Sequence, residues 1–161
     1  MNMETNDLDQ RARGDEGFTL VEIMVVVLVI GILLAIGIPT FLGARERAQD
    51  RSAQTSLRTG QTSATVLFTD DTSFTDATTT ALAASEPSLS WVAAGTASTD
   101  DSEVSVAFTT DGTEWGAATM SASGTCYFIH LDSGAATTYG STTTASNCTG
   151  TQALSASGTG W

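Results

Sequence analysis

The stretch GFTLVEIMVVVLVIGILLAIGIP, residues 17–39, decides the fold of this 161-residue chain. It holds one charged side chain, Glu22, and between Ile23 and Pro39 no residue is charged or strongly polar. The apolar span from Phe18 to Leu42 is long enough to cross a bilayer, which takes about 20 residues. Val and Ile dominate it and would favour a strand in water. In lipid an isolated strand leaves its backbone groups unpaired, so a helix is predicted.

The helical pattern continues beyond the apolar stretch, because small and apolar residues then recur mostly three or four positions apart. One long helix is therefore predicted from about Phe18 to about Phe68. Residues 18–42 would form its transmembrane half and residues 43–68 an amphipathic half with a narrow small-residue face.

Three residues weaken the helix within the apolar half, namely Gly31, Gly37 and Pro39. Glycine lowers helix propensity, and proline removes a backbone donor and clashes with the preceding turn. A kink or a locally melting segment is therefore predicted between Gly31 and Pro39.

Residues 69–161 are predicted to form a globular head. Residues 69–88 read as a connecting loop with a helical turn near 78–84, and residues 132–161 as a loop-rich tail. Four short runs between them read as strands joined in an antiparallel meander, with hairpin turns at Asp111-Gly112 and at residues 121–124. These runs are Leu89–Val92, Glu103–Phe108, Glu114–Met120 and Thr125–Leu131.

The predicted fold class is α+β, with the long helix packed on this four-stranded antiparallel sheet. One face of the sheet needs cover, and the amphipathic half of the helix is the obvious element to supply it.

Charge is distributed unevenly, with a net charge of −12 and a pI near 4.1. There is no lysine, and all six arginines precede residue 60. A surface this acidic repels phosphate backbones, so the head is not expected to bind nucleic acid.

The two cysteines, Cys126 and Cys148, have 21 residues between them and allow a single pairing. If the head lies beyond the membrane in an oxidising compartment, a disulfide is expected. The alternative is two free thiols in a reduced protein.

Gly17-Phe18-Thr19-Leu20-Val21-Glu22, followed by an apolar helix, resembles the N-terminus of type IV pilins and the related pseudopilins. The resemblance is close over about residues 14–45, and beyond that only the architecture is similar. It implies that a prepilin peptidase cuts between Gly17 and Phe18 and that the new terminus, Phe18, is N-methylated. It also implies that residues 1–17 are a leader and that Glu22 is the carboxylate these families carry at that position.

The leader departs from the short, basic leaders of the family, since residues 1–17 hold two arginines and five acidic residues. Arg11 and Arg13 are interpreted as the cytoplasmic positive signal, because acidic residues count for little in that rule.

Glu22 also stands out on physical grounds. A carboxylate in a membrane helix costs up to about 2.5–3.5 kcal/mol at the bilayer centre, less near the interface, and usually has a partner. The nearest arginines, Arg13 and Arg45, are distant in sequence. Cleavage at Gly17 would create an amine on Phe18, and the Phe18 amine of a staggered neighbour is the expected partner. The alternative is a Glu22 that faces water at the headgroup boundary.

The resemblance thus implies a structural subunit that waits in the cytoplasmic membrane and is then extracted into an extracellular pilus filament. Its implied partners are identical subunits, the prepilin peptidase, the membrane, and the pilus assembly platform and motor. The filament would serve adhesion, motility or DNA uptake.

Other candidate sites favour structural interpretations, and no catalytic, cofactor or metal site is predicted. His130 stands alone without a second ligand or nucleophile, so the chain is not expected to be an enzyme. Asp70-Asp71 and Asp100-Asp101 lack the spacing of a calcium loop. Asn147-Cys148-Thr149 fits the N-glycosylation pattern, but its cysteine is expected in the disulfide.

The sequence leaves two alternative functions open. One is a pseudopilin of a type II secretion or DNA-uptake system. The other is a secreted or membrane-anchored binding domain with an ordinary signal peptide, since Ala35-Ile36-Gly37 has small residues spaced for such cleavage.

Overall fold

The computed structural model describes residues 17–161, so the predicted leader with Arg11 and Arg13 lies outside the described part. The chain divides into two compact units, one ending at Leu42 and the other beginning at Gly43. Each is described by itself below.

The first helix, α1, spans Leu20–Asp71, 52 residues. Its predicted limits, Phe18 and Phe68, were two and three residues off. The helix is continuous through Pro39, and every residue from Leu20 to Leu42 is exposed. Within residues 17–161 it is the one helix long and apolar enough to cross a membrane.

A short connection joins α1 to the sheet. It contains a 3₁₀ turn at Phe74–Asp76 and a second helix, α2, at Thr79–Ser85. Thr78 caps α2, because its side chain accepts a hydrogen bond from the Ala81 N–H. The helical turn predicted near 78–84 is therefore present.

The sheet has five strands in the order β1-β2-β3-β4-β5, where the sequence predicted four. The strands are β1 (Ser90–Val92), β2 (Glu103–Phe108), β3 (Glu114–Met120), β4 (Cys126–Asp132) and β5 (Thr138–Thr142).

Two features of the predicted meander were wrong. The extra strand, β5, lies in the tail that was predicted to be loop, where the absence of alternating apolar residues gives little strand signal. It forms by antiparallel pairing with β4 along Cys126–His130, a tertiary contact that overrides weak local propensity. The first pair, β1 with β2, is parallel rather than antiparallel, because residues 93–102 return the chain to the starting edge before β2 begins.

One face of the sheet packs against the second half of α1. Ala53, Leu57 and Ala64 of the helix are fully buried in one core with Trp115 and Ile129 of the sheet. Gly60 allows the close approach, since a Cβ there would lie 3.1 Å from the Trp91 ring. Leu57, Gly60 and Ala64 of the predicted small-residue face thus contact the sheet, whereas its earlier members, Ala44 and Ala48, are exposed.

The opposite face of the sheet is covered by the tail. A 3₁₀ turn at Ala145–Asn147 and a short helix, α3, at Gly150–Ala153 follow β5. Ala153 and Cys148 pack there against Ala118, Met120 and Phe128. The sheet is therefore buried on both faces, which explains why six consecutive residues of β3 are buried.

Candidate functional site: the N-terminal segment of α1

Residues 17–19 precede the helix and are exposed, so the Gly17–Phe18 bond is accessible in the described part of the chain. The helix begins at Leu20 with Thr19 as its cap. The Glu22 N–H donates to Thr19 Oγ1 at 3.2 Å, and the Ile23 N–H donates to the Thr19 carbonyl at 3.3 Å. The first bond pairs one of the donors that a helix start leaves free, and the second is the first regular bond of the helix.

Thr19 is a helix cap next to the predicted cleavage site that the sequence analysis did not identify. The signal was present, because Thr19-Leu-Val-Glu22 is a capping-box pattern ahead of an apolar run. The cap fixes the start of the helix two residues after the predicted cleavage site. Phe18, which is 77% exposed, therefore lies just outside the helix.

Glu22 lies exposed in the first turn of α1. A carboxylate is favourable at a helix N-terminus, where unpaired N–H groups carry partial positive charge. In residues 17–161 the side chain forms no ion pair, since the single salt bridge found there joins His130 to Glu114. Glu22 is thus available to a group from outside the described part of the subunit.

The surface around Glu22 is apolar on every side. The large side chains from Phe18 to Leu42 are between 48% and 77% exposed. A helix that is hydrophobic all round is stable only where another apolar phase covers it, either lipid or protein. Removing one such side chain from water contributes about 1.5–3 kcal/mol.

Gly31, Gly37 and Pro39 lie within this apolar surface. A Cβ at Gly31 or at Gly37 would meet no atom within 4 Å. Near Pro39, Thr40 Oγ1 donates to the carbonyls of Gly37 at 2.9 Å and Ile36 at 3.2 Å. The hydroxyl thereby supports the turn in which proline supplies no donor. Local melting in an assembled state stays a prediction.

The predicted disulfide joins Cys126 to Cys148, with their Cα atoms 5.5 Å apart. Both residues are fully buried on the tail-covered face of the sheet. The bridge ties the tail to β4.

The remaining candidates have local partners. His130 Nδ1 lies 3.3 Å from Thr138 Oγ1, and its Nε2 lies 3.7 Å from Glu114. Asp100 accepts bonds from the Ser102 side chain and N–H and from the Glu103 N–H, and these bonds lower its pKa. Among residues 17–161 no group of His, Cys, Asp and Glu has the arrangement of a metal site.

Comparison with known proteins agrees with this geometry. Residues 12–38 match the family model described as the prokaryotic N-terminal methylation motif. The matched residues include Gly17, Phe18 and Glu22 and most of the apolar half of α1.

Two curated relatives are similar over the N-terminal part. The type IV major pilin protein PilA of Myxococcus xanthus is 39% identical over 62 residues, which are 38% of this chain and 28% of the relative. The type II secretion system core protein G of Vibrio cholerae is 42% identical over 48 residues, 30% of this chain and 33% of the relative. The aligned part thus spans a third or less of either relative's length. No solved structure matches this chain.

Proposed function

We propose that this chain is the structural subunit of a type IV pilus, which polymerises through its N-terminal helix into a surface filament. The observation that carries the proposal is Glu22, a carboxylate with no ion-pair partner among residues 17–161, at the start of a helix whose apolar side chains are exposed all round. A helix of this kind fits two successive environments, the lipid of the cytoplasmic membrane and the core of a helical homopolymer.

Processing completes the proposed site. Cleavage after Gly17 frees the amine of Phe18, which is then N-methylated and keeps its positive charge. That amine on one subunit pairs with Glu22 of a neighbour. Two unit charges 4 Å apart attract by about 4 kcal/mol at the effective dielectric near a protein surface. The pair thus sets the register between helices that are otherwise uniformly apolar.

Each segment of the proposed subunit then has its own role. Residues 1–17 are the leader, residues 18–42 the membrane and polymerisation segment, residues 43–68 the amphipathic half of the helix, and residues 69–161 the head. The proposed partners are prepilin peptidase, the assembly platform and motor, and identical subunits. The filament would act in adhesion, motility or DNA uptake.

A second candidate function is a pseudopilin of a type II secretion or DNA-uptake system. The similarity to the Vibrio cholerae core protein G over 48 residues favours it. Both candidates share the processing site and Glu22. Electron microscopy of the cells separates them, because a major pilin yields long abundant surface filaments and a pseudopilin does not.

The processing step is tested by intact mass and N-terminal analysis of the protein purified from cell envelopes. We expect a chain that begins with N-methylated Phe18. A chain that begins near Ile38 would instead identify signal-peptide cleavage and would contradict the proposal.

The Glu22 contact is tested by the variant Glu22→Ala, with Glu46→Ala as the matched control. The cap on α1 survives in Glu22→Ala, because its donor is the backbone N–H of residue 22. We expect normal processing and at least a tenfold loss of sheared filaments, since about 1.4 kcal/mol per contact already gives that factor. Glu46, an exposed glutamate on the same helix, should tolerate alanine. Normal filament yield from Glu22→Ala would refute the pairing.

A further inference from the structure

All positive side chains of the head unit lie on one stretch of its helix, together with the carboxylates of Glu46 and Asp50. Its four arginines, Arg45, Arg47, Arg51 and Arg58, all lie on α1, and beyond Arg58 the chain has ten carboxylates and neither Lys nor Arg. Arg47, Arg51 and Arg58 are four and seven residues apart, so at about 100° per residue they share one side of the helix. All three are exposed on the side turned away from the buried residues Ala53 and Leu57.

The threonines on the same side present methyl groups rather than free hydroxyls. Each hydroxyl donates to a carbonyl of its own helix, at 2.7 Å for Thr55, 3.0 Å for Thr62, 2.8 Å for Thr65 and 2.7 Å for Thr69. Each hydroxyl donor is already paired, so a partner that covers these side chains leaves no O–H donor unpaired. We call these four threonines, together with Arg47, Arg51 and Arg58, the arginine face.

Within residues 17–161 no arginine of this face forms an ion pair with a carboxylate. Arg58 lies over the ring of Trp161, with its guanidinium 5.2 Å from the ring centroid. Arg47 and Arg51 are exposed and lie four and eight positions after Gly43, the start of the head unit. The face is therefore positively charged and partly apolar, and its Arg47 and Arg51 form no ion pair within the described chain.

The carboxylates that most need a cation lie at the other end of the same helix. Asp70 and Asp71 are in its last turn, where no basic residue offsets the partial negative charge of the helix C-terminus. Asp76 follows closely, and its hydrogen bond and negative charge raise the pKa of the Asp71 carboxyl. We call Asp70, Asp71 and Asp76 the acidic end.

Asp100 has different surroundings. Three hydrogen bonds from Ser102 and Glu103 stabilise its anion and lower its pKa. A cation from another molecule therefore relieves more repulsion at the acidic end than at the loop of Asp100.

We propose that the arginine face of one copy binds the acidic end of a second copy. The inference rests on the proposed function, and it adds a contact between head units to the contact between Glu22 and the Phe18 amine. Such a contact joins two different surfaces of the subunit and is heterologous, so each outermost copy keeps one of the two surfaces free and the contact propagates.

The contact also defines an axial offset. Arg51 and Asp71 are twenty positions apart on one helix, which is about 30 Å at 1.5 Å per residue. Parallel copies that pair these groups are offset by that amount. Phe18 lies just outside the helix, four positions before Glu22, and even a fully extended chain spans at most about 14 Å over four residues. The two contacts therefore join different neighbours in the filament.

The test uses charge reversal in the full chain, expressed in the cells that assemble it. Arg47→Glu with Arg51→Glu, and separately Asp70→Arg with Asp71→Arg, should each lower the yield of sheared filaments at least tenfold. All four substitutions together restore opposite charges across the contact and should recover most of the yield. Arg45→Glu is the control, since Arg45 lies on another side of the helix.

Filament formation by the wild-type chain and by the reversed pairs distinguishes failure of this inference from failure of the proposed function. If the wild-type chain forms no filaments, the proposed function and the inference fall together. If the wild-type chain forms filaments and both reversed pairs do so equally well, the inference alone is overturned.

Anionic lipid is the other partner that arginines near an apolar segment suit, and a separate assay distinguishes it. Purified subunit is mixed with phosphatidylglycerol vesicles and with phosphatidylcholine vesicles. If Arg47→Glu with Arg51→Glu abolishes the preference for phosphatidylglycerol but leaves the filament yield unchanged, the arginine face serves the membrane and the inference is overturned.

Discussion

Gly150, the first residue of α3, lies against the backbone of the sheet. A Cβ at this position would be 2.4 Å from the Val106 carbonyl carbon and 2.5 Å from the Ala107 nitrogen. Its N–H donates to Ser105 Oγ at 2.8 Å, and both groups are buried. The tail approaches β2 closely only because residue 150 has no side chain.

Gly150→Ala should therefore lower the free energy of unfolding by about 1–3 kcal/mol or more, since a methyl group placed into backbone forces the tail away from the sheet. Chemical denaturation of the full chain in detergent measures the change. Gly95→Ala is the matched control, because a Cβ there meets nothing within 4 Å. Equal stability of the two variants would show that the tail does not pack on β2 in this way.

At the residue scale the sequence predicts motifs whose residues are close in the chain better than contacts between residues that are distant in the chain. Gly17, Phe18 and Glu22 are recognisable because their spacing along the chain is itself the motif. Asp50 illustrates the opposite case, since it accepts hydrogen bonds from Ser121 Oγ at 2.8 Å and from Ser123 across more than seventy residues. No local sequence pattern predicts that contact.

At the scale of elements, a periodic pattern over many residues was sufficient to predict a helix, whereas short runs of residues did not predict every strand or its direction. The pattern that predicted α1 extends over about fifty residues, and it located the helix to within three residues at either end. β5 has five residues, one of them Gly140, and exists because β4 offers an unpaired edge. β1 has three residues, and its direction depends on the path of the loop that follows it.

The element most open to mechanical test is the apolar half of α1. Replacing Gly31 and Gly37 together with alanine adds about 1 kcal/mol of helix propensity at each site. Apart from the adjacent residues and the local helix backbone, neither methyl group meets an atom within 4 Å. If this segment melts when a filament is stretched, the double variant should form filaments that extend less at a given force in single-filament pulling.

Gly43→Ala provides the control for that experiment, because it lies outside the segment and its Cβ would make an ordinary contact, 3.6 Å from Arg47. Equal extension of the double variant and the control would argue against melting there. A filament map with unbroken helix from Gly31 to Pro39 would remove the hypothesis.

At the scale of the whole molecule, the head is a sheet covered by two unlike layers. The helix side is held by a large apolar core around Trp115, Leu57 and Ile129. The tail side has a smaller cluster that includes both cysteines. The sequence predicted the helix layer from its amphipathic pattern. It did not predict the tail layer, because a segment rich in Gly, Thr and Ser carries little apolar signal and is positioned by the disulfide and by Gly150.

The disulfide should therefore stabilise the tail layer more than it stabilises the helix layer. Closing a loop of this size contributes about 3 kcal/mol in the chain-entropy model. Cys126→Ala with Cys148→Ala should lower the free energy of unfolding by about that amount. Because residues 145–156 would then leave the face that carries Met120 and Phe128, limited proteolysis should cut first in the tail. The wild-type chain treated with reductant separates loss of the bridge from loss of the two side chains. If the reduced wild-type chain is as stable and as resistant to protease as the oxidised chain, the tail layer is held by packing alone.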